Sequence, residues 1–227
     1  MIEEYLRHEQ ERAQLGISAL PLVPEQVEAL CGLLTSPPAG SEQFLLTLLK
    51  ERVSPGVSPS AKIKALFLAE ILFGEKFSPV ITPVDAARIL GSMLGGYNVA
   101  PLVAALRVPP LADEAATALG KITLVYDTFD EVAALVRAGN VSAARVMNSW
   151  AEAEWFTCRT ALPASIKLKV FKVDGEINTD DFSPAGDAWS RPDIPPARAG
   201  HGENPFSGRF GDHCSVSQGR LPGCLCR

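Results

Sequence analysis

The chain has 227 residues, 47% of them hydrophobic and 21% charged, with a formal net charge of -5 and a pI near 5.3. That balance is ordinary for a globular protein and not that of an obvious nucleic-acid binder, because phosphate binding needs concentrated Lys and Arg. Met1 is followed by the charged IEEYLRHEQER rather than an apolar signal core, and the apolar run ALFLAEILF is broken by Glu70, so the expected location is cytoplasmic with no membrane partner.

In chain order, residues 2 to about 160 read as consecutive short helices. EEYLRHEQERAQ is stopped by Gly16. PEQVEALCGLLT starts at Pro24 and places Val27, Leu30, Cys31 and Leu34 on one face. SEQFLLTLLKER takes Ser41 as its N-cap. PSAKIKALFLAEILFG is apolar at Ile63, Leu66, Phe67 and Ile71, and Gly74 stops it. TPVDAARILGSM combines a Thr82 cap, Pro83 in the first turn and Asp85 near the positive helix end. TFDEVAALVRAG has the spacing of a capping box at Thr128 and Glu131, with Gly139 closing it. NVSAARVMNSWAEAEWF follows, apolar at Val146, Trp150 and Ala153.

SPPAGS, SPGVSPS, KFSPVITP and RVPPLAD read as connectors between these helices. The pattern predicts a mainly α protein, an irregular solenoid of helix pairs similar to HEAT repeats. Period-two alternation in IKLKVFKV, Ile166–Val173, then predicts a strand and a second, β-containing domain after a boundary at RTALPAS, Arg159–Ser165.

Small features get plain readings. Cys31 and Cys158 read as buried thiols. Gly95–Asn98 (GGYN) reads as a tight turn, because a phosphate loop needs a following Gly-Lys-Ser/Thr. Trp150 and Trp155 read as core or domain-contact residues, and His8 as a solvated side chain.

The loop GEINTDDFSPAGDAWSRPDIP holds the candidate site. Asn178, Thr179, Asp180 and Asp181 gather four hydrogen-bonding side chains directly after the predicted strand, and Trp189 lies close to Arg191. Loop composition alone also fits a plain turn-rich connection. Beside that reading stands the hypothesis of an anion-binding Arg191, whose guanidinium fork suits a carboxylate best.

MIEEYLRHEQERA, SPPAGSEQFLLTLLKERVSPGV, GSMLGGYNVAPLVAAL, VMNSWAEAEWF and VFKVDGEINTDDFSPAGDAWSRPDIP together resemble the N-terminal part of the bacterial aconitate hydratase B family, over residues 1 to about 195. The resemblance implies a HEAT-like domain over residues 1–160 and a linker with the start of a β/α swivel domain over 161–195. It implies that Arg191 binds substrate, with Asn178, Thr179, Asp180 and Asp181 supporting the site. Full-length members interconvert citrate and isocitrate through cis-aconitate with a four-iron four-sulfur cluster. In the family the HEAT-like domain takes part in iron-responsive dimer formation and in substrate channelling, and the apo enzyme binds messenger RNA.

The cluster cysteines of that family belong to later domains, and Cys224 and Cys226 lie in no matching context. The expectation is therefore a fragment with no cofactor or metal of its own, no catalytic residue and no turnover. A free-standing α-solenoid interaction module is the alternative, and a severed β-domain with a substrate loop argues against it.

From Pro196 the chain departs from the family pattern, which runs on roughly as Leu-His-Ala-Leu-Ala-Met. One synonymous set of codons for Pro196–Gly202, read one nucleotide later, encodes that hexapeptide. Residues 196–227 are accordingly expected to be an out-of-frame, disordered tail, and His213, Cys214, Cys224 and Cys226 to be accidental rather than a zinc set.

Overall fold

The computed structural model describes residues 1–14, 19–126, 128–158 and 163–167. Among them the regular structure is entirely helical: α1 (Ile2–Gln14), α2 (Pro24–Thr35), α3 (Glu42–Glu51), α4 (Pro59–Leu72), α5 (Pro83–Gly91), α6 (Val99–Ala105), α7 (Pro109–Leu119), α8 (Thr128–Arg137), α9 (Val141–Ala151) and α10 (Glu154–Thr157). These residues fall into two compact units. One holds α2 to α10; the other holds α1 and the described residues from Cys158 onward.

The helical unit is a stack of helix pairs. α2 packs on α3, α4 on α5, α6 on α7 and α8 on α9, while α2 to α4, α6 to α8 and α5 to α7 to α9 stack across pairs. Contacts between near neighbours in sequence are the mark of an α-solenoid. The mainly helical, HEAT-like expectation therefore holds.

Prolines open four of the helices: Pro24, Pro59, Pro83 and Pro109 each sit in the first turn, where a missing N–H costs nothing. RVPPLAD is thus not wholly a connector, because Pro109 and Pro110 already belong to α7. The Ser58 hydroxyl accepts from the Ala61 amide at 3.1 Å. At α5 the predicted cap closes into a full box: Thr82 Oγ1 accepts from the Asp85 amide at 3.1 Å and Asp85 Oδ2 accepts from the Thr82 amide at 3.2 Å.

Of the three predicted glycine stops, Gly16 lies outside the described residues and the other two are present. Gly74 (φ +76) and Gly139 (φ +85) adopt left-handed backbone. Around Gly74, the Glu75 amide donates to the Glu70 carbonyl and the Gly74 amide to Ile71; around Gly139, the Asn140 amide donates to Leu135 and the Gly139 amide to Val136. Each is a Schellman closure of the preceding helix.

Several expectations are corrected. Ser41 makes no side-chain cap; its hydroxyl donates to the Pro38 carbonyl at 2.6 Å, and its own backbone is already helical. Thr128 is the first helical residue rather than the cap, so the box with Glu131 does not form. NVSAARVMNSWAEAEWF is two helices, broken where Ala153 takes φ +50. Cys158 is exposed, because α10 ends one residue before it. His8 is half-buried, and its Nε2 accepts from the Leu20 amide at 3.1 Å.

On α4 the buried face is rotated from the predicted one. Leu66 is 57% exposed, while Ala61, Lys64, Ala65 and Leu68 are buried alongside Phe67 and Ile71. α4 packs against both α2 and α5, so its buried arc is wider than one apolar stripe. Ile166 and Lys167 carry no strand pairing, and the rest of the predicted strand, Leu168–Val173, lies outside the described residues.

α5 and α7 approach closely. A Cβ on Gly91 would lie 2.7 Å from the Ala118 Cβ and 3.1 Å from its Cα. Gly32, on the exposed side of α2, has nothing within 4 Å. Gly→Ala in a helix ordinarily stabilises by about 0.5–1 kcal/mol. Gly32→Ala is expected to raise the thermal midpoint, and Gly91→Ala to lower it by the equivalent of about 1–3 kcal/mol of overpacking. Parallel thermal melts of the two variants check the opposite signs.

Candidate functional site

All the predicted site residues, Asn178, Thr179, Asp180, Asp181 and Arg191, lie outside the described residues, as do His213, Cys214, Cys224 and Cys226. The functional groups that can be placed belong to the helical unit.

The first group is a polar ladder across α5, α7 and α9. Arg88 donates from Nε to Glu114 Oε1 at 3.0 Å and from Nη2 to Oε2 at 3.3 Å, and its Nη1 lies 3.8 Å from Asp85 Oδ1. Arg145 of α9 reaches Asp113 Oδ1 at 3.3 Å and Thr117 Oγ1 at 2.8 Å, and also donates to the Asp113 carbonyl. The Thr82 hydroxyl, with Arg88 adding to it, holds the Asp85 carboxyl below its ordinary range. Beside the ladder is a shallow cleft of about 160 Å³ lined by Arg88, Ser92, Glu114, Thr117 and Lys121. Across it Arg88 and Glu114 satisfy one another, and exposed pairs of this kind contribute about 0–1 kcal/mol each.

The second group is the GGYN turn. Gly95 (φ +114) and Gly96 (φ +91) take backbone that suits only glycine. Asn98, fully buried, locks the turn by donating from Nδ2 to the Leu90 and Met93 carbonyls, both at 2.8 Å. The turn reading therefore holds, and Asn98 is what gives it a fixed shape.

The third group is Lys64 with Cys31. Lys64 is 2% exposed on the buried side of α4, and no carboxylate among the described residues pairs with it. Burial pushes its ammonium down to about 8. Cys31, buried on α2, is pushed up to about 12, again by burial. Sequence reading missed Lys64 because it was counted as polar. The signal was there: Ala61, Lys64, Ala65 and Leu68 recur at i, i+3, i+4 and i+7, which puts the lysine on a core-facing stripe.

The half-buried Trp150 donates from Nε1 to the Leu119 carbonyl at 2.9 Å and stacks on Phe129 at 6.0 Å, bridging α7, α8 and α9. It is a packing residue, as expected. Trp155 is no core residue: it sits on the short α10 and is exposed.

The family model described as the aconitate B N-terminal domain matches residues 4–156, and the one described as the aconitate hydratase 2 N-terminus matches residues 168–207. The chain belongs to the aconitate hydratase B family. It is 54% identical over 195 residues to aconitate hydratase B of Escherichia coli strain K12 and 50% identical over 195 residues to that of Pseudomonas aeruginosa, in each case 86% of this chain and 22% of the relative. The relative from Helicobacter pylori is 45% identical over 196 residues. The chain thus spans about a fifth of the length of the curated aconitate hydratases B it matches.

An iron–sulfur cluster of the kind the resemblance implies needs several cysteine thiolates brought together. Cys31 is buried with a thiol that resists ionisation, and Cys158 is exposed in the other compact unit. No three His, Cys, Asp or Glu side chains among the described residues converge on a point that could hold a metal. The described donors therefore do not fit the cluster. No described helix is long and apolar enough to cross a membrane.

Lys64 and Cys31 set an alkaline stability profile. With its folded-state pKa lowered to about 8 from 10.5, Lys64 lets the unfolded chain bind more protons between those values, so stability rises with pH from about 8. Cys31, raised from 9.0 to about 12, keeps a proton that the unfolded chain loses, so its contribution falls above pH 9. Denaturant melts should show a rise between about pH 8 and 9 that then levels off. Lys64→Met should remove that rise and add about 1–3 kcal/mol at pH 7.

Proposed function

We propose that this chain carries the N-terminal interaction scaffold and one substrate-holding loop of an aconitate hydratase B, and that residues 1–227 alone do not turn over citrate or isocitrate. The observation that carries the reading is the unbroken likeness to aconitate hydratases B over 195 residues, set against a described thiol pair that does not fit the cluster. In this reading residues 1–160 form the HEAT-like domain and residues 161–195 the linker and opening of the swivel domain. Arg191 clamps a substrate carboxylate with its planar guanidinium. Asn178, Thr179, Asp180 and Asp181 order the loop around it. The cluster would supply the Lewis-acid chemistry of hydration and dehydration in the whole enzyme.

The solenoid surface is the part of this chain suited to partners, and homodimer formation and messenger RNA binding, family properties in this reading, are assigned to it. Residues 196–227 are read as out-of-frame translation. The 195-residue span of the pairwise likeness supports this; the second family model, which runs on to residue 207, argues for a later departure. Resequencing across the Pro195 and Pro196 codons decides between them.

The purified 227-residue chain, taken through iron–sulfur reconstitution and assayed by cis-aconitate absorbance, is expected to give no turnover above a protein-free control. Turnover above that control would overturn the reading.

A further inference from the structure

Alternate interhelical loops converge on one edge of the helical unit. Val57 follows α3, Leu94 and Tyr97 follow α5, and Leu124 and Tyr126 follow α7. All five are exposed, Val57 at 73% and Tyr126 at 78%. They are also joined. A Cβ on Gly96 would lie 3.0 Å from Val57 Cγ1, and one on Gly95 would lie 2.8 Å from the Leu124 Cβ and 2.7 Å from its carbonyl oxygen. The two glycines therefore draw three loops into one apolar surface, and a contiguous apolar surface of this sort on a folded protein marks an interaction site.

Two further observations say what fits it. Residues Ile122–Val125 have neither helix nor turn, and the amides of Thr123, Leu124 and Val125 donate to no acceptor among the described residues. Only alternate amides of such a segment can face one extended peptide, so Thr123 and Val125, two residues apart, are the two whose N–H groups the peptide's carbonyls can meet while its alternate side chains reach the apolar surface. The Lys62 ammonium stands 5.9 Å from the Tyr97 ring centroid and pairs with no carboxylate among the described residues. Lys121, three residues before Leu124, is likewise without a described acidic partner.

We propose that this loop edge docks an extended, acidic peptide segment of a partner protein. Its carbonyls accept from the Thr123 and Val125 amides, its apolar side chains sit on Val57, Tyr97 and Leu124, and its carboxylates meet Lys62 and Lys121. The site is independent of Arg191 and of any turnover.

The test titrates the full 227-residue chain into a fluorescent hexapeptide alternating valine with glutamate, read by anisotropy. Saturable binding is expected, weaker by about tenfold for the valine–lysine peptide and by about fivefold for Lys62→Glu or Leu124→Glu. Far-UV circular dichroism verifies that both variants are folded. Replacing the peptide's backbone amides by esters, whose carbonyls are weaker acceptors, should weaken binding by about tenfold. Absent saturation, equal affinity for the lysine peptide, or indifference to the ester replacement overturns the proposal. So does sedimentation showing that the chain self-associates and that Leu124→Glu dissolves the association, because the occupant is then a second copy.

Discussion

The helical unit depends on how closely α5 and α7 can approach. Gly91 against Ala118 removes the side chains that would hold the two helices apart. The Arg88–Glu114 pair can then span the same seam as a bidentate bridge. On the far side of α7 the arrangement repeats in a different form, with Gly120 lying against Ser149 of α9 and Trp150 reaching the Leu119 carbonyl. In a stack where each pair contacts only its neighbours, a central seam of this kind couples the two ends. Its small residues matter more than its large ones.

Helix ends do the rest of the positioning. Proline starts and Schellman closures set where each helix begins and stops, and therefore where each loop emerges. The loops after α3, α5 and α7 meet because α5 and α7 each return the chain to the edge that α4 and α6 leave. Asn98, tied to two carbonyls at the end of α5, fixes the middle loop of the three. A polar residue with no solvent access thus shapes a surface it does not reach.

Much of this was legible in the sequence. Thr82, Pro83 and Asp85 state their box in four letters, and Gly74 and Gly139 state their stops, because those roles are local and chemical. What failed was non-local. Leu66 and Lys64 exchange expected places because α4 is gripped from two sides, and a single-stripe template cannot represent that. Ser41 and Thr128 had the right residue type for a cap, but their backbones were already helical or one step displaced. The break at Ala153 has no glycine or proline to announce it, so tertiary packing overrode propensity there. The substrate loop was legible only through the length of its motif; Arg191 and its neighbours owe their assignment to likeness and side-chain chemistry.

The ladder on α5, α7 and α9 pairs Asp85, Arg88, Glu114, Asp113 and Arg145 within touching distance. The two guanidiniums offset two of the three carboxylates, and the one left over is screened beyond a Debye length of about 8 Å. That face is electrostatically quiet: it projects little field, and it steers no ligand from afar. Anything that recognises it must do so by fit at contact, and its encounter rate should be nearly blind to ionic strength.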